Sequence, residues 1–405
     1  MGRRVLQIVM IGPFAFKPKG TVSARAFFMA RALVNRGHRV TILMPPYDHL
    51  LDSGRIREQD GVRLENMTIR RNDAWHQLVV PAHMARRTIQ LQPDVIHVFK
   101  PIGYSGLAGL YLSWLSRRPV VLDTDDWEGR GGWAALNPYP ALWRWFFDRQ
   151  ERWLSRHAGA VTVVSHTLQA QVCSFGVDPG RVVYLPNGPD TRLRARTEVS
   201  EAEKGALRAR LGVGRAPFAL YLGHIPHGTD LDLALEALPY LERRLPAARL
   251  VIAGVGDGLA GLQARAEMMG VGDRVLFPGW IPHEQAPLYV AAADAAVNPY
   301  RDTLINRSKC AGKVILAMAM GVPVVTSRLG ENLEYIEDGH SGVLTEPGDA
   351  KDLARGLFAV LSDRVWAGKL GCEARKRIWE RFDWDARVGE VERAYEIARE
   401  WRGRW

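Results

Sequence analysis

Short runs of apolar residues alternate along the chain with longer stretches in which apolar residues recur at helical spacing. The first run, VLQIVMIG, precedes SARAFFMARALVNRG, whose helical pattern ends at Gly37, a residue typical of helix ends. Further runs are HRVTILMPP, PDVIHVF, RPVVLDTDD, AGAVTVVS and RVVYLPNG, then PFALYLG, ARLVIAGVG, RVLFPGW, DAAVNPY and GVPVVTS. This alternation predicts an α/β protein with two doubly wound, Rossmann-like parallel sheets.

A charged stretch without strand pattern, residues 191–216, separates the two halves and suits a linker followed by a helix. We predict an N-terminal domain over residues 1–190 and a C-terminal domain over 191–384. A last helix, about 385–405, is expected to pack back on the first domain. Because ligands of doubly wound sheets bind at the carboxyl ends of the strands, two facing sheets predict a site in the cleft between them.

Composition narrows the class of protein. The 405 residues are 47% hydrophobic and 24% charged, which is typical of soluble globular proteins. No segment approaches the roughly 20 apolar residues of a membrane span. MGRRVLQIVMIGPFAF is interpreted as a strand and not as a signal peptide. Three distant cysteines give neither a disulfide framework nor a zinc spacing, which favours the cytoplasm.

The net charge of +10 is concentrated in the first half. Residues 1–190 hold 24 Lys and Arg against 15 Asp and Glu, whereas the remaining residues hold 30 against 29. Such an excess suits nucleic acid, an anionic membrane or a phosphorylated acceptor, and a solvated basic surface is the alternative.

Six motifs resemble, in their order along the chain, the retaining family-4 glycosyltransferases with the GT-B fold. They are RALVNRGHRVTIL, PDVIHV, AVTVVSHTL, VVYLPNGPD, LVIAGVGDG and GVPVVTSRLGENLEYIEDGHSGVLTEPGD. The resemblance implies metal-independent transfer of a sugar, with a hexose expected, from a nucleoside-diphosphate sugar and with retention at the anomeric carbon. It assigns the acceptor to the N-terminal domain and the donor to the C-terminal domain, and it implies no cofactor.

The donor site implied by the resemblance contains a glycine turn, a basic segment and the GENLE segment. Backbone N–H groups at the start of a helix in GENLE would hold phosphate, and a simple helix cap is the alternative. The expected donor-binding residues are Gly20, His224, Ser308, Lys309, Lys313, Gly330, Glu331, Asn332, Leu333 and Glu334.

The chain departs from the family at two acids. The family's two glutamates, eight residues apart, align with Ser308 and Leu316, and His224 and His227 stand where the family commonly has arginine and lysine. If AGKVILAMAMG is helical, Lys309 and Lys313 share a face and restore the positive charge, although ordinary surface lysines are the alternative. We predict an active enzyme whose ribose contact has moved to backbone groups or to another acid, first of all Glu334.

Acidic residues end the predicted strand in VVLDTDDWEGRGGW. Asp125, where many family members have histidine, and Asp126 are expected to orient the acceptor hydroxyl or to support charge at the anomeric carbon. His97 is a third catalytic candidate, with a core histidine as an equal alternative. Lys100 is expected to line the acceptor site or to contact a membrane, and metal binding is not expected.

The segment ALWRWFFDRQERWLSRHA, residues 141–158, holds five aromatic residues and four arginines. A core face is predicted for Leu142, Trp145, Phe146, Trp153 and Leu154. The residues off that face are Trp143, Arg144 and Phe147. A buried helix with a polar rim is one interpretation, and a helix that docks on an anionic membrane is the other. The latter would make the protein cytoplasmic and peripheral on the inner face of the membrane.

Two other functions remain open. The absent acids at Ser308 and Leu316 are compatible with a non-catalytic GT-B binding protein. A nucleotide-dependent oxidoreductase is disfavoured because GVGDGLAG is not a clean G-x-G-x-x-G. No nucleic-acid partner is expected.

Overall fold

The computed structural model describes residues 4–16, 20–46, 49–69, 76–194, 199–226 and 230–401. The chain divides into two compact units. The first unit contains Met1–Asn187, Ser308–Cys310 and Trp384–Trp405, and the second contains Gly188–Arg307 and Ala311–Asp383. The division after Asn187 lies three residues before the boundary predicted from the sequence.

The first unit is built on an eight-stranded sheet of order β3-β4-β2-β1-β5-β6-β7-β8. Its strands are β1 (Gln7–Ile11), β2 (Arg39–Met44), β3 (Ile56–Gln59), β4 (Val62–Asn66), β5 (Val95–Phe99), β6 (Val120–Thr124), β7 (Ala160–Val163) and β8 (Val182–Tyr184). All pairs are parallel except β3 with β4, which is antiparallel. The order reverses between β1 and β5, so the carboxyl ends of these strands mark a switch point for ligands.

Helices in the described residues connect the strands of this sheet. They are α1 (Phe27–Asn35), α2 (His76–Gln90), α3 (Gly103–Leu115), α4 (Trp133–Leu136), α5 (Ala141–His157) and α6 (His166–Ser174). A π-helical turn, Val22–Ala26, leads into α1. In β1, Ile8 and Met10 belong to one core, and Val9 and Ile11 belong to another. Both faces of the sheet are therefore covered, which explains the nearly continuous apolar strand.

The second unit is built on an all-parallel sheet of six strands, in the order β11-β10-β9-β12-β13-β14. The strands are β9 (Phe218–Leu222), β10 (Arg249–Ala253), β11 (Val275–Gly279), β12 (Ala295–Asn298), β13 (Val324–Ser327) and β14 (Val343–Thr345). This is the 3-2-1-4-5-6 order of nucleotide-binding sheets, whose switch point lies between the first and fourth strands, here β9 and β12.

Helices cover both faces of the second sheet. They are α7 (Glu201–Arg210), α8 (Asp232–Glu242), α9 (Leu259–Met268), α10 (Ala286–Ala292), α11 (Leu304–Ser308), α12 (Gly312–Ala319), α13 (Asn332–Tyr335), α14 (Ala350–Ser362) and α15 (Arg364–Arg381). Two parallel-sheet α/β domains confirm the fold class predicted from the sequence. Among the described residues, no helix is both long enough and apolar enough to span a bilayer.

The last helix, α16 (Trp384–Glu400), follows the second unit in sequence but belongs to the first. Its buried residues Trp384, Val391 and Tyr395 join the core that contains β1 and α1. Close contact is possible because Gly159, before β7, has no side chain. A β-carbon at Gly159 would lie 2.8 Å from the α-carbon of Ala398.

Two local predictions are wrong. On α5, Leu142 and Trp145 are 72% and 57% exposed, and the buried face is instead formed by Gln150, Glu151, Leu154 and Ser155. Lys309 and Lys313 do not share a helical face, because α12 begins at Gly312 and the residue before it is extended. Ser308–Cys310 pack with the first unit, where the Asn187 N–H donates to Cys310 Sγ at 3.2 Å, and this contact takes Lys309 off the helical path.

Gly159→Ala should destabilise the first unit, because the added methyl group meets the backbone of α16 and that backbone must shift. We expect a loss of about 1–3 kcal/mol, the usual range for overpacking. The matched control is Gly389→Ala on α16, where a β-carbon meets nothing within 4 Å. Alanine there should leave stability unchanged or raise it by up to about 1 kcal/mol. Urea unfolding of both variants makes the comparison, and equal stability would show that α16 is not seated against Gly159.

Candidate functional site

A fully buried ion pair lies beneath the switch point of the first sheet. Arg25, from the π-helical turn, donates to both carboxylate oxygens of Asp123 at 2.8 and 2.7 Å, and both side chains are at most 1% exposed. Arg25 also donates to Asn187 Oδ1 at 2.8 Å, and Thr162 donates its hydroxyl to Asp123 at 2.5 Å. Burial raises the pKa of Asp123, whereas the Asp123 charge raises the pKa of Arg25 although burial opposes it. Two short parallel bonds favour the ionised pair.

His97 belongs to this buried network and not to a substrate surface. The side chain has no exposed surface, and Nδ1 lies 3.0 Å from the Tyr395 hydroxyl of α16. Burial, with a contribution from the charge of Arg25, lowers the pKa of His97 to about 3. The imidazole is therefore neutral. Because a group without exposed surface does not contact substrate, the structure contradicts the catalytic prediction for His97 and supports the core alternative.

Lys100 gathers the predicted acids at the carboxyl end of β5. Its ammonium nitrogen lies 3.1 Å from Asp125 Oδ1, 2.7 Å from Asp126 Oδ2 and 2.5 Å from Glu128 Oε1. Thr21 donates its hydroxyl to the other oxygen of Asp125 at 2.7 Å. Burial alone would lower the pKa of Lys100, but the three carboxylates raise it well above the ordinary value. Lys100 also has φ of +66°, a strained backbone of the kind found at functional sites.

The three carboxylates have ligand oxygens within 4.8 Å of one another, a spacing that also suits a cation. The ammonium of Lys100 already supplies positive charge at that position, so the cluster consists of an internal cation and its acids. Asp126, with 28% of its side chain exposed, is the carboxylate most open to an acceptor. Lys100 itself is 9% exposed, which contradicts a direct contact with a membrane surface.

A buried glutamate of α5 holds the loop that follows these acids. Glu151 accepts from the backbone N–H groups of Glu128 and Gly129 at 3.3 and 2.9 Å. Asp148, one turn earlier on α5, accepts from the backbone N–H of Arg130 at 3.2 Å. Burial, reinforced by the charge of Glu128, raises the pKa of Glu151 to about 8. Glu151 is therefore mostly protonated at neutral pH.

In the second unit, a lysine lies at the switch point of the sheet. Lys313 donates to the Tyr221 hydroxyl at 2.6 Å, and its ammonium lies 4.1 Å from the centre of the Tyr221 ring. Tyr221 is the penultimate residue of β9 and donates to the carbonyl of His224 at 2.8 Å. The imidazole Nδ1 of His224 lies 3.0 Å from the carbonyl oxygen of Val255. Burial lowers the pKa of Lys313 to about 8. His227 lies outside the described residues.

Leu316 lines a small cavity in place of the family's ribose acid. The cavity has a volume of about 20 Å³ and is also lined by Lys313 and by Asn298, the last residue of β12. Asn298 is 3% exposed, and its Nδ2 has no hydrogen-bond partner among the described residues. An unpaired amide donor and the Lys313 side chain therefore belong to residues that line one cavity, to which Leu316 adds no carboxylate.

The GENLE segment forms local backbone contacts that the sequence does not predict. Gly330 has φ of +51°, and a β-carbon there would lie 2.4 Å from the carbonyl oxygen of Arg307, so only glycine fits. The helix that follows, α13, has a single turn. Backbone N–H groups of Asn332, Leu333 and Glu334 already donate to carbonyl groups three residues earlier. They are not free to hold phosphate, which contradicts the predicted anion site at this helix start.

The remaining predicted donor residues lie in different environments. Ser308 is fully buried, so a hydroxyl of the donor sugar does not reach its side chain in this structure. Lys309 lies 5.2 Å from the centre of the Trp133 ring in the first unit. The carbonyl of Gly20 accepts from Ala24 and thus starts the π-helical turn. Glu331 and Asn332 are buried, Leu333 is 49% exposed and Glu334 is half-buried.

The N-terminal part of α5 carries an exposed aromatic surface. Trp143 is 40% exposed and Arg144 is exposed, whereas Phe147 is half-buried beneath the Tyr139 ring at 5.3 Å. Trp143 lies 6.0 Å from Phe146 and 5.8 Å from Phe147 between ring centres. The three residues predicted to lie off the core face are thus together at or near the surface.

Solved structures with the same architecture include Anabaena Alr3699/HepE in complex with UDP and glucose. The likeness covers 96% of this chain and 99% of that chain, with a TM-score of 0.76 and 20% identity. At that identity the likeness shows the GT-B fold.

Family models match most of the chain in two segments. Residues 20–188 match the model described as "Glycosyl transferase 4-like domain", and residues 216–363 match "Glycosyl transferases group 1". The chain belongs to the family-4 glycosyltransferases.

Two relatives of this glycosyltransferase differ in the length of chain over which they match it. The GDP-mannose-dependent alpha-(1-6)-phosphatidylinositol monomannoside mannosyltransferase of Mycolicibacterium smegmatis is 31% identical over 238 residues, which are 58% of this chain and 62% of the relative. The uncharacterized glycosyltransferase MJ1607 of Methanocaldococcus jannaschii is 28% identical over 93% of this chain and 94% of its own length. The chain therefore matches less than two thirds of the mannosyltransferase's length.

The sequence alone did not identify four polar residues of the candidate sites in this glycosyltransferase: Thr21, Arg25, Tyr221 and Asn298. Arg25 lies within an apolar helical stretch, where a charged residue is unusual unless it is paired. That was a usable signal, although its partner is 98 residues away. Tyr221 and Asn298 end apolar strands, and polar residues at strand ends of a doubly wound sheet point to the ligand edge.

Glu151→Gln should change how the stability of the glycosyltransferase depends on pH. The pKa of Glu151 is raised from 4.5 to about 8, so between these pH values the folded protein binds a proton that the unfolded chain has lost. Stability should consequently fall as pH rises through this window. Glutamine mimics the protonated acid, so the variant should lose this part of the pH dependence and be more stable than wild type above about pH 8.

Urea midpoints between about pH 5 and about pH 8.5 measure this effect. Glu400→Gln, at an exposed position on α16, controls for the removal of one negative charge. Parallel curves for wild type and Glu151→Gln would contradict the raised pKa.

Proposed function

We propose that the chain transfers a hexose from a nucleoside-diphosphate sugar to a lipid-linked or cell-surface glycan acceptor. Transfer proceeds with retention, without a metal ion, at the inner face of a membrane. The observation that carries the proposal is the position of Lys313, beside Tyr221 at the carboxyl edge of β9 and near Asn298 of β12. An isolated ammonium at the switch point of a nucleotide-binding sheet suits the diphosphate of a donor.

Lys313 would act mainly on the leaving group. Negative charge grows on the diphosphate as the bond to the sugar breaks, and a fixed cation that is partly removed from water stabilises it. The departing phosphate takes the proton of the acceptor hydroxyl, so this route needs no strong base from the protein. The structures of Alr3699/HepE with UDP and glucose and the GDP-mannose-dependent relative support a nucleotide-sugar donor.

In the first unit, Asp126 and Asp125 would orient the acceptor. Asp126 is the more exposed of the two, and Lys100 holds both in place. A carboxylate that is half neutralised by an ammonium still accepts a hydrogen bond from a sugar hydroxyl. The mannosyltransferase relative acts on a phosphatidylinositol glycolipid according to its name, which supports a lipid-linked acceptor for this chain.

A non-catalytic binding protein is the second candidate, because Ser308 is buried and Leu316 is apolar where the family has acids. Turnover separates the two functions. The proposed enzyme hydrolyses or transfers sugar from at least one member of a panel of UDP- and GDP-sugars, with or without lipid acceptor. If the wild type is inactive with every donor of the panel and Ser308→Glu combined with Leu316→Glu restores activity, the chain is a non-catalytic binding protein.

Glu334→Ala should lower kcat/KM for the donor at least tenfold, about 1.4 kcal/mol, because Glu334 is the first candidate for the lost ribose contact. The Glu334 backbone is held by Arg377, which donates to its carbonyl at 2.9 Å, so the substitution removes the carboxylate without removing this bond. Leu333→Ala, at the exposed neighbour, is the control. Equal kcat/KM for wild type and Glu334→Ala would indicate that backbone groups, and not Glu334, recognise the ribose.

Lys313→Met should weaken binding of a nucleoside diphosphate much more than binding of the matching nucleoside. For wild type, diphosphate affinity should also fall as pH rises through about 8, because the pKa of Lys313 is lowered to about 8 and the neutral amine attracts phosphate poorly. Calorimetry with UDP and uridine, or GDP and guanosine, measures both effects. Lys309→Met tests the second lysine that is predicted to bind the donor. Lys369→Met, at an exposed position of α15, controls for the loss of one positive charge. Equal losses for nucleotide and nucleoside would exclude a phosphate contact.

A further inference from the structure

A pocket of about 770 Å³ lies between α3 and α5 in the first unit. Its lining is aromatic and basic. The apolar lining residues are Leu110, Trp114, Trp145, Phe146 and Trp153. The charged and polar ones are Arg130, Asp148, Arg149, Gln150, Arg152 and Arg156. Four guanidinium groups against one carboxylate make the pocket electropositive, and its aromatic walls offer contact to an apolar body.

Two of these arginines have guanidinium groups with neither a carboxylate nor a carbonyl partner among the described residues. Arg152 donates to Asp148 at 3.0 Å, and Arg156 donates to the carbonyl of Phe175. Within the part of the chain that the structure describes, neither Arg130 nor Arg149 forms an ion pair, although the Arg149 guanidinium lies 5.6 Å from the centre of the Trp145 ring. Exposed guanidinium groups next to each other attract an anion that accepts several hydrogen bonds, and phosphate is the best match.

Gln150 places an unpaired polar group at the wall of the pocket. It is one of the lining residues, yet it is only 2% exposed. Neither Oε1 nor Nε2 has a hydrogen-bond partner among the described residues. Leaving a buried amide unpaired costs about 1–3 kcal/mol, which an apolar residue of similar size would avoid. The amide fits closely over Gly106, where a β-carbon would come within 2.6 Å of Nε2. The donor therefore faces α3, and a ligand oxygen in the pocket reaches it when the Gln150 side chain turns toward the pocket.

The surroundings of the pocket are apolar and open. Trp114 and Leu115 on α3 are 70% and 69% exposed, and Leu142 and Trp145 on α5 are 72% and 57% exposed. Large apolar side chains exposed on two adjacent helices mark a contact surface. Tryptophan with nearby arginine is the residue pair favoured at the boundary between lipid headgroups and acyl chains. The first half of the chain also carries nearly all of the net positive charge.

We infer that this pocket binds the phosphate end of a lipid in the bilayer, with Arg130, Arg149 and Gln150 on the phosphate and the tryptophan rings against the first acyl carbons. The site is separate from the Lys100 acid cluster proposed for the acceptor. The inference rests on the proposed action at a membrane, and it adds a specific lipid-phosphate site to that proposal. Binding there would hold the first unit on an anionic leaflet while a different lipid is glycosylated.

The test uses the full chain and two kinds of probe. Flotation with vesicles of phosphatidylcholine, alone or mixed with phosphatidic acid or with oleate, separates a lipid phosphate from general negative charge. Dihexanoyl phosphatidic acid below its micelle concentration probes the isolated pocket through tryptophan fluorescence, with inorganic phosphate as the comparison. Wild type should float with phosphatidic acid much better than with oleate, and should bind the short lipid saturably and more tightly than phosphate.

Arg130→Ala, Arg149→Ala and Gln150→Leu should each weaken binding of the short lipid at least about fivefold, corresponding to about 1 kcal/mol. Arg144→Ala is the matched control, because Arg144 lies on the same helix but outside the pocket lining. If Gln150→Leu fails to fold, the two surface arginine variants still decide the result. Donor hydrolysis should persist in every variant, so loss of lipid binding is distinguishable from loss of the proposed enzyme.

Four results would overturn the inference. Equal flotation on phosphatidic acid and oleate would show a non-specific electrostatic surface. Absence of saturable binding of the short lipid would show that the pocket is not a phosphate site. An Arg144→Ala loss as large as that of Arg130→Ala would place the contact on the exposed helix face. A wild type that hydrolyses donor but floats with no vesicle would reject membrane action while leaving the glycosyltransferase intact.

Discussion

The buried ion pair between Arg25 and Asp123 fixes the arrangement of the first unit. It joins the turn before α1 to the end of β6, and Thr162 and Asn187 extend it to β7 and to the segment after β8. Removing one partner of such a pair leaves an uncompensated charge and typically costs about 3–5 kcal/mol. The pair also has a functional consequence. Thr21 lies one turn before Arg25, so holding the arginine in place sets the hydroxyl that bonds Asp125.

The sequence predicts the sheets well because strands buried on both faces leave continuous apolar runs, and the helices between them leave a 3.6-residue period. It fails where an interaction joins distant residues. The partner of Arg25 lies 98 residues away, and the hydrogen bond between His97 and Tyr395 joins residues that are 298 positions apart. Neither distance leaves a local pattern. Helical spacing alone also gave the wrong buried face for α5. Gln150 and Glu151 are buried there, whereas Trp145 is exposed. Periodicity does not show the surroundings in the folded protein that bury these polar residues.

The proposed donor site of the second unit is cationic, because Lys313 shares its cavity with a leucine at position 316 and with no carboxylate among the lining residues. A carboxylate at position 316 would lie in the same small cavity as Lys313 and would compete with phosphate for its charge. With leucine there, burial instead weakens the proton affinity of Lys313, and Asn298 leaves a donor unpaired beside it. The absent carboxylate and the unpaired donor favour an anion, whereas the lowered pKa restricts the positive charge of Lys313 to pH values below about 8. A decayed pocket would have no reason to keep an amine and an amide donor together at the switch point, so the arrangement argues for an altered specificity of a working site.

The proposed lipid pocket and the acid cluster are connected through α5, which lines the pocket and holds the loop that follows the acids. Asp148 holds the backbone of Arg130, which lines the pocket, and Glu151 holds the backbone of Glu128, which bonds Lys100. Any ligand that draws Arg130 toward the pocket therefore pulls on a loop whose other end positions the acceptor carboxylates. The connection is short and rigid, since it consists of hydrogen bonds from one helix to three consecutive loop residues. Because the pKa of Glu151 is raised to about 8, loss of its proton would place a second buried charge next to Glu128 and loosen the loop. The proposed attachment to a membrane and the proposed orientation of the acceptor would thus depend on the same helix.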